Sequence, residues 1–303
     1  MDNNLTLEDF QPIKRKELKI ETSYHRSRLS RVVYVLRENK LAMCCVFILG
    51  IIFLASIFSF LSPYDPDSVN VSERLQGISS KHILGTDDLG RDLFTRALYG
   101  GRVSLLVGFS SMIVSVIMGT FVGTISGYMG GKIDIVLMRI VDIFLSVPSL
   151  LLIIIFYSFV SPNIFTLVIM LSMFSWTNVA RIVRAETLSI KERDYVLAAK
   201  SLGVSDFVII IRHIIPNLAS QIIVAASLSI ANAILDESAL SFLGYGVQLP
   251  KSSWGSMLQT AQKYILYDPL LAIVPGILIL LTVLCFNVLG DVLQQALDPK
   301  LNK

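Results

Sequence analysis

The stretch "IFLSVPSLLLIIIFYSFVSPNIFTLVIMLSMFSWTNVA", residues 143–180, contains no charged side chain. A helix that crosses the hydrocarbon core of a membrane needs about 20 mostly apolar residues, so this run is too long for one span and long enough for two. The tripeptide Ser161-Pro162-Asn163 divides it, and such a tripeptide is typical of a turn between helices. The run therefore predicts two membrane helices joined by a short connection.

Four further uncharged runs each have the length of a single span. They cover residues 41–64, 103–131, 213–235 and 269–290. Of the 303 residues, 53% are hydrophobic and 16% are charged, against about 25% charged in ordinary soluble domains. A soluble fold of this size would carry charges along the outward faces of its helices, so the pattern disfavours one. We predict an all-α polytopic membrane protein with six transmembrane helices.

The distribution of Lys and Arg predicts the orientation, because positive side chains favour cytoplasmic loops. With the N-terminus inside, 19 of the 26 Lys and Arg residues fall on the inner side and seven on the outer side. We therefore place both termini in the cytoplasm. About 40 mostly polar residues precede the first apolar run, which is not the pattern of a cleavable signal peptide.

The same runs divide the chain into regions. We predict a cytoplasmic arm at residues 1–40, a first transmembrane helix at 41–64, an extracytoplasmic segment at 65–102, a transmembrane core at 103–290 and a cytoplasmic tail at 291–303. The core contains an inner loop, 181–217, and an outer loop, 236–269, which we expect to be folded and packed on the helices. The end of the arm has apolar residues at helical spacing, which predicts an interfacial helix.

Local patterns predict further details on the outer side and within the spans. Thr86 or Asp87 is expected to cap a short outer helix that continues through Leu98. Its wetter face would carry Arg91, Asp92 and Arg96. Gly119 and Gly123 form a GxxxG step, which lets another helix approach closely. Pro148 falls near the start of the predicted third span, where it would kink the helix.

The inner loop ends in "YVLAAKSLGVSDFVIIIRHIIPN", residues 195–217. Ser189-Ile190-Lys191-Glu192 has the spacing of a capping box, so we predict a helix that begins there and ends at Leu202. Gly203 would stop this helix in a left-handed conformation. Ser205 or Asp206 would cap a second helix, which Pro216 would help to end.

This pair of helices is predicted to project from the inner face as a small docking element. The short side chains of Ala198 and Ala199 would let a partner surface come close to the backbone. The alternative is a helical hairpin that packs only under its own bundle. The residues alone do not separate these two interpretations.

The stretch "AAKSLGVSDFVIIIRHIIPN", residues 198–217, resembles the cytoplasmic loop of ABC-importer permeases, written E-A-A, three residues, G, nine residues, I-x-L-P. The alanine pair, Gly203 and Pro216 match this spacing, whereas Leu197 replaces the usual glutamate. His213 and Ile215 replace the isoleucine and leucine. The resemblance implies contact with an ATPase through Leu197, Ala198, Ala199, Gly203, Asp206, Arg212, His213 and Pro216.

Four more segments are similar to the oligopeptide/dipeptide/nickel permeases, and to the second permease subunit of those systems. They are "LGTDDLGRD" (84–92), "LSFLGYGV" (240–247), "SWGSML" (253–258) and "GDVLQQALDPKL" (290–301). The resemblance implies a fold like that of a type I ABC-importer permease in the cell membrane. The implied cargo is peptide, with nickel or a metal chelate as the alternative.

The resemblance also implies partners: a homologous permease, two ATP-binding subunits, an extracytoplasmic substrate-binding protein and membrane lipid, but no nucleic acid. ATP and Mg²⁺ would bind in the partner subunits. This chain has no GxxxxGK[ST] phosphate loop, so we expect it to bind no cofactor and to be no ATPase.

Two groups of polar residues are candidates for transport itself. The candidate translocation pathway comprises Ser172, Asn178, Gln221, Ser227, Ser229 and Asn232. For each of these, a hydrogen bond between helices is the alternative. Candidates for a binding-protein contact or a gate are Asp87, Asp88, Arg91, Asp92, Asp236, Glu237 and Trp254.

Two other classes of membrane protein remain as alternatives. An ion-coupled secondary transporter usually needs ionisable groups in mid-membrane, and the predicted span interiors contain no Asp, Glu, Lys or Arg. A membrane enzyme is disfavoured because the three histidines form no HExxH motif. No metal site is predicted, since the three cysteines fall in predicted spans without CxxC spacing.

Overall fold

The computed structural model describes residues 28–297, with side chains from residue 31 onward. The helices are α1 (Arg28–Glu38), α2 (Lys40–Ile57), α3 (Leu93–Met129), α4 (Gly131–Leu145), α5 (Ser149–Tyr157), α6 (Ile164–Lys191), α7 (Asp194–Ser201), α8 (Asp206–Ile209), α9 (Ile215–Phe242), α10 (Trp254–Ala261) and α11 (Leu270–Leu297). A π-helical turn, Ile210–Ile214, joins α8 to α9. Between residues 28 and 297 there is no β-strand, only an isolated bridge between Thr86 and Asp92. The predicted all-α class is confirmed.

Five helices are long and apolar enough to cross a membrane, and a sixth span is present when α4 and α5, bent by 80° to each other, count as one. The predicted count of six is met with this pair as the third span, and residues 158–163 connect it to α6. Pro148 lies at the bend, in the middle of the third span and not near its start. The span begins earlier than predicted; the search for uncharged runs missed its first half, because α4 contains charged residues.

Ion pairs with α6 explain how α4 tolerates its two aspartates. Asp134 accepts hydrogen bonds from Nε and Nη2 of Arg184 at 2.5 and 2.6 Å. Asp142 accepts one from Nη2 of Arg181 at 2.6 Å. A search for uncharged runs misses such a helix, since the partners are 50 and 39 residues away in the chain.

The outer helix begins later than predicted, and the last helix extends past its uncharged run. On the outer side, α3 begins at Leu93 and not at Thr86 or Asp87, and its cap is Asp92, whose Oδ1 accepts a hydrogen bond from the Thr95 N–H at 2.7 Å. At the other end of the chain, α11 continues beyond residue 290 to Leu297. An α-helix of 37 residues is about 55 Å long, so α3 extends beyond the roughly 30 Å hydrocarbon core and includes polar turns.

The centre of the fold is α3, which packs along α6 and α9. A Cβ atom on Gly123 would lie 2.5 Å from the carbonyl oxygen of Ala180, and one on Gly119 would lie 2.5 Å from Cβ of Val179. The backbones of α3 and α6 are therefore as close as the GxxxG step predicted.

Two predictions for the inner loop were wrong. The capping box was assigned incorrectly, because α6 continues through it to Lys191 with Ile190 fully buried, and α7 starts at Asp194. Pro216 ends no helix and lies in the first turn of α9. The helical chain remains continuous from residue 206 to 242 because the π-helical turn before the proline accommodates its ring and its missing N–H.

Within the described range, the end of the arm is helical and the outer loop packs on the long helices, as predicted; the interfacial position of the arm helix stays a prediction. The helix α1 packs on α2 and α11. In the outer loop, α9 extends to Phe242 and α10 packs against α3, α9 and α11. Trp254 is 1% exposed, and its Nε1–H donates to the carbonyl oxygen of Ala97 at 3.0 Å.

Candidate functional site

The coupling segment, residues 194–216, lies between the cytoplasmic ends of α6 and α9. Gly203, with φ at +75°, follows α7, and the N–H of Val204 donates to the carbonyl oxygen of Ala199 at 3.2 Å. The N–H of Gly203 donates to the carbonyl oxygen of Lys200 at 3.0 Å. These two bonds form a Schellman motif, which confirms the predicted left-handed glycine stop.

Buried side chains fix the coupling segment to the transmembrane helices. Val196, Ile209 and Ile214 are at most 1% exposed and pack in one cluster with Val183 of α6. A hydrogen bond of 2.6 Å from the Tyr128 hydroxyl to Oδ1 of Asp206 ties the start of α8 to the end of α3. The segment is therefore rigidly attached to α3, α6 and α9.

Large apolar side chains of the coupling segment are exposed on its surface. Leu202 is 84% exposed and Phe207 is 71% exposed. Leu197, at the position where the family motif has glutamate, is exposed too. An apolar surface on a rigid element at the water-facing ends of membrane helices is typical of a docking site. Sequence reasoning missed Leu202 and Phe207, because the segment contains many apolar residues and its sequence does not separate the exposed ones from the buried ones.

The predicted coupling residues are not equivalent. Ala198 is exposed, whereas Ala199 is 8% exposed and packs inside the segment. Asp206 is exposed but engaged by Tyr128. Of the remaining predicted coupling residues, Arg212 and Pro216 are exposed and His213 is half-buried.

The structure separates the six pathway candidates into two groups. Ser172 is buried, and its hydroxyl donates to the carbonyl oxygen of Val168 at 2.6 Å. The hydroxyl of Ser227 donates to the carbonyl oxygen of Ile223 at 3.1 Å, and this serine packs near Gly290 of α11. Both of these bonds stay within one helix. Ser172 in addition donates to the carbonyl oxygen of Ser111 in α3 at 3.4 Å, which is a contact between helices.

The remaining pathway candidates are accessible. Asn178 and Asn232 are exposed, and Gln221 and Ser229 are half-buried. In the outer half of α9, Asn232 lies one turn before Asp236, which is half-buried and has no ion-pair partner within 4 Å among residues 31–297. By contrast, the exposed residues in the middle of α3 are apolar: Leu106, Ile113, Val114, Ile117, Met118 and Phe121. Polar side chains in a span avoid lipid, so this side of α9 faces protein or water in the assembly.

A buried ionic network occupies the predicted outer contact region. Oδ2 of Asp87 accepts a hydrogen bond from Nε of Arg91 at 2.7 Å and lies 3.3 Å from Nε of Arg96. Oδ2 of Asp92 lies 2.9 Å from Nδ1 of His82. All five side chains are at most 5% exposed, and not on a wet helix face as predicted. Buried charges of this kind must pair with one another, which explains their mutual contacts.

Glu237 and Trp254 are also enclosed by the fold. The Glu237 carboxylate is fully buried and accepts hydrogen bonds from the hydroxyls of Ser104 and Ser241 at 2.9 and 2.7 Å. The contact with Ser104 joins α3 to α9 beside Trp254, whose backbone N–H donates to the Ser104 hydroxyl at 3.2 Å. A binding protein on this surface cannot touch the buried side chains of Asp87, Arg91, Asp92, Glu237 or Trp254, which corrects that expectation. A gating role for them stays a prediction.

Comparison with known families gives two matches. Residues 119–303 match the family described as "Binding-protein-dependent transport system inner membrane component". Residues 27–77 match the "N-terminal TM domain of oligopeptide transport permease C". The first match covers more than half of the chain. The chain belongs to the binding-protein-dependent transport permeases.

Relatives of similar length support this assignment of the permease. The oligopeptide transport system permease protein OppC of Bacillus subtilis is 40% identical over 88% of each chain. The dipeptide transport system permease protein DppC of the same organism is 42% identical over 88% of this chain and 84% of that one. The glutathione transport system permease protein GsiD of Pectobacterium atrosepticum is 40% identical over 88% of this chain and 89% of that one.

The fold of the permease is also that of a solved ABC transporter. It matches a chain from inward-facing conformations of the MetNI methionine ABC transporter with a TM-score of 0.58 at 19% identity. The match covers 67% of this chain and 96% of that one. The predicted permease fold is confirmed, and the family description confirms the predicted location in the cell membrane.

The outer surface has a cavity that the sequence did not predict. A cavity of about 670 Å³ lies beyond the outer end of α9, lined by Phe242 and Leu243 together with Asp88, Gln259 and Lys263. Burial, and after it the neighbouring Asp87 carboxylate, raises the pKa of the Asp88 carboxyl above its usual value. Asp88 was one of the predicted binding-protein contacts, and its side chain lines this cavity.

Proposed function

We propose that this permease is one of two permease subunits of an ATP-driven importer and that its cargo is peptide. The support for the cargo is the set of relatives, whose names are oligopeptide, dipeptide and glutathione permeases at 40 to 42% identity. Glutathione is itself a tripeptide, so all three cargoes share amide bonds and charged ends.

Energy for transport would come from two separate ATP-binding subunits, which would hold ATP and Mg²⁺ and dock on the coupling segment. The observation that carries this proposal is the exposed pair Leu202 and Phe207 on either side of Gly203. Such side chains gain free energy when a partner covers them, because apolar surface leaves water. The permease itself has no phosphate loop in its sequence.

Transport would follow from the rigid attachment of the coupling segment. When ATP brings the two ATP-binding subunits together, each docked segment moves with its subunit. The buried contacts of Val196 and Ile209 would pass this movement to α6 and α9, which would tilt and change the side from which the pathway is open.

The polar side of α9 is our candidate for the pathway. Ser229, Asn232 and Asp236 offer hydrogen-bonding groups in the outer half of that helix. A homologous permease would close the pathway opposite them. An extracytoplasmic binding protein would deliver the cargo above the outer cavity that Phe242 and Leu243 line.

Cysteine cross-linking combined with uptake tests this proposal. The exposed Cys44 is first replaced by alanine, after which Ala198→Cys places a single accessible thiol on the coupling segment. We expect Ala198→Cys to cross-link to an ATP-binding subunit, and vesicles with the complete complex to take up a labelled tripeptide only with ATP. Leu266→Cys, on the outer turn and 93% exposed, is the matched control that should not cross-link.

Three outcomes contradict the proposal. Labelling of Ala198→Cys by an impermeant maleimide from outside would reverse the orientation. Uptake that persists without ATP-binding subunits would favour an ion-coupled carrier. Uptake of nickel chelates in place of tripeptide would be consistent with an ATP-driven importer but would contradict the peptide cargo.

A further inference from the structure

A second cavity, of about 190 Å³, lies on the cytoplasmic side of the permease, where α1, α6, α9 and α11 meet. Its polar lining consists of Arg31, Glu186, Arg193, Asn217, Ser220 and Gln221. Apart from Gln221, none of these residues was singled out in the sequence, because they come from three distant parts of the chain.

The charged groups of this cavity are not paired with one another or with other described residues. Within residues 31–297, no carboxylate lies within 4 Å of the guanidinium of Arg31 or of Arg193. Two guanidinium groups and the Glu186 carboxylate leave a net charge of +1. The Ser220 hydroxyl and the Gln221 amide add hydrogen-bond donors. This combination suits a ligand with one negative charge and several acceptor oxygens.

The depth of the cavity indicates the source of such a ligand. Glu186 lies five residues before the cytoplasmic end of α6, or about 7.5 Å along the helix axis. Ser220 and Gln221 lie in the first two turns of α9, and the cavity also contacts the last residues of α11. Arg31 belongs to α1, the helix that precedes the first span. These positions correspond to the headgroup layer of the inner leaflet.

We propose that this cavity binds the phosphodiester group of an anionic phospholipid from the cytoplasmic leaflet. Arginine holds phosphate oxygens with paired N–H groups, and basic pockets between membrane helices on the cytoplasmic side bind anionic headgroups. A single phosphodiester neutralises the net charge of the cavity. This inference goes beyond the proposed function and does not depend on the cargo.

A bound lipid would connect the arm helix with the coupling segment. Arg193 immediately precedes α7, and its carbonyl oxygen accepts a hydrogen bond from the Val196 N–H at 2.9 Å. Arg31 lies on α1, which packs on α11. One phosphate held by both arginines would therefore fix the start of the coupling segment against α1.

Lipid retention by the whole importer complex tests this inference. The complex is reconstituted in nanodiscs of phosphatidylcholine with phosphatidylglycerol, extracted, and examined by native mass spectrometry for retained lipid. We expect selective retention of phosphatidylglycerol, and at least an about tenfold loss in Arg31→Gln/Arg193→Gln, which corresponds to about 1.4 kcal/mol. Arg37→Gln, an exposed arginine on the same helix, should retain the lipid.

Two further variants keep the inference testable if the double variant does not assemble. Glu186→Gln removes the carboxylate that competes for the guanidiniums, so it should raise retention. Arg31→Lys/Arg193→Lys keeps both charges and should retain more lipid than the glutamine pair.

Equal retention in wild type and Arg31→Gln/Arg193→Gln would overturn the inference, and so would unchanged retention in Glu186→Gln. Binding of inorganic phosphate by a complex that retains phosphatidylglycerol no better than phosphatidylcholine would also overturn it, because the site would then belong to a free anion.

Discussion

Replacing Leu202 and Phe207 by serine is expected to release the ATP-binding subunits from the permease. Full burial of a large apolar side chain contributes about 1.5–3 kcal/mol. Leu202 has 84% and Phe207 has 71% of its surface free to be covered. Scaled by these fractions, complete coverage contributes about 1.3–2.5 and 1.1–2.1 kcal/mol. The double variant should therefore dock about 50- to 2,000-fold more weakly.

The assay is co-purification of ATP-binding subunits with the tagged permease over a dilution series. Leu266→Ser is the matched control, because Leu266 is 93% exposed on the outer turn between α10 and α11. It removes about as much exposed apolar surface as Leu202→Ser alone, without touching the inner face. Both sites are exposed, so the stability of the isolated permease should change by less than about 0.5 kcal/mol. Wild-type docking of Leu202→Ser/Phe207→Ser, or lost docking of Leu266→Ser, would refute the reasoning.

Three further substitutions test the fold. Gly203→Ala should destabilise the coupling segment by about 1–2 kcal/mol, because φ at this position is +75°; crowding is not the reason, since a Cβ there has nothing within 4 Å. Gly203→Asn should reduce the hydrogen-exchange protection of α7 less than Gly203→Ala does. Equal losses of protection in the two variants would count against the conformational explanation. Gly123→Ala should lower the free energy of unfolding of the purified permease by about 1–3 kcal/mol, because the new Cβ would lie 2.5 Å from the Ala180 carbonyl oxygen. Gly276→Ala is the control: it has open space around it and should be neutral or stabilising in a thermal unfolding experiment. Asp88→Asn should raise thermal stability at neutral pH, because the pKa of the Asp88 carboxyl is raised in the folded state and its ionised form therefore destabilises the fold. This advantage should disappear below about pH 3.9, where the carboxyl is protonated in both the folded and the unfolded state. An advantage of the variant that persists in acid would contradict the charge argument.

The mutual position of α4 and α6 shows why sequence reasoning found the number of spans but not their limits. A charge in hydrocarbon is so unfavourable that uncharged runs reveal most spans. Asp134 in α4 is stabilised by Arg184 in α6, a partner 50 residues away that no local pattern connects with it. The third span consequently begins at Gly131, twelve residues before the uncharged run that marked it.

The candidate sites divide in the same way. The glycine spacing located the coupling segment, since a left-handed turn after a short helix depends on one residue and its neighbours. The burial of Arg91 and Glu237 could not be inferred from their type, because charged side chains are usually exposed. Their burial is made favourable by contacts such as those of Arg91 with Asp87 and of Glu237 with Ser104 and Ser241.

The sequence by itself determined the membrane class, the six spans, the inner position of the coupling segment and the left-handed glycine within it. Each of these follows from local chemistry: the absence of charge over about 20 residues, the excess of Lys and Arg on one side, or one backbone conformation. Tertiary structure decided which side chains are accessible, where the third span bends, and that Arg31 and Arg193 line one cavity. Those properties arise when distant segments pack together, and the free energy of a buried charge depends on partners that the fold brings to it.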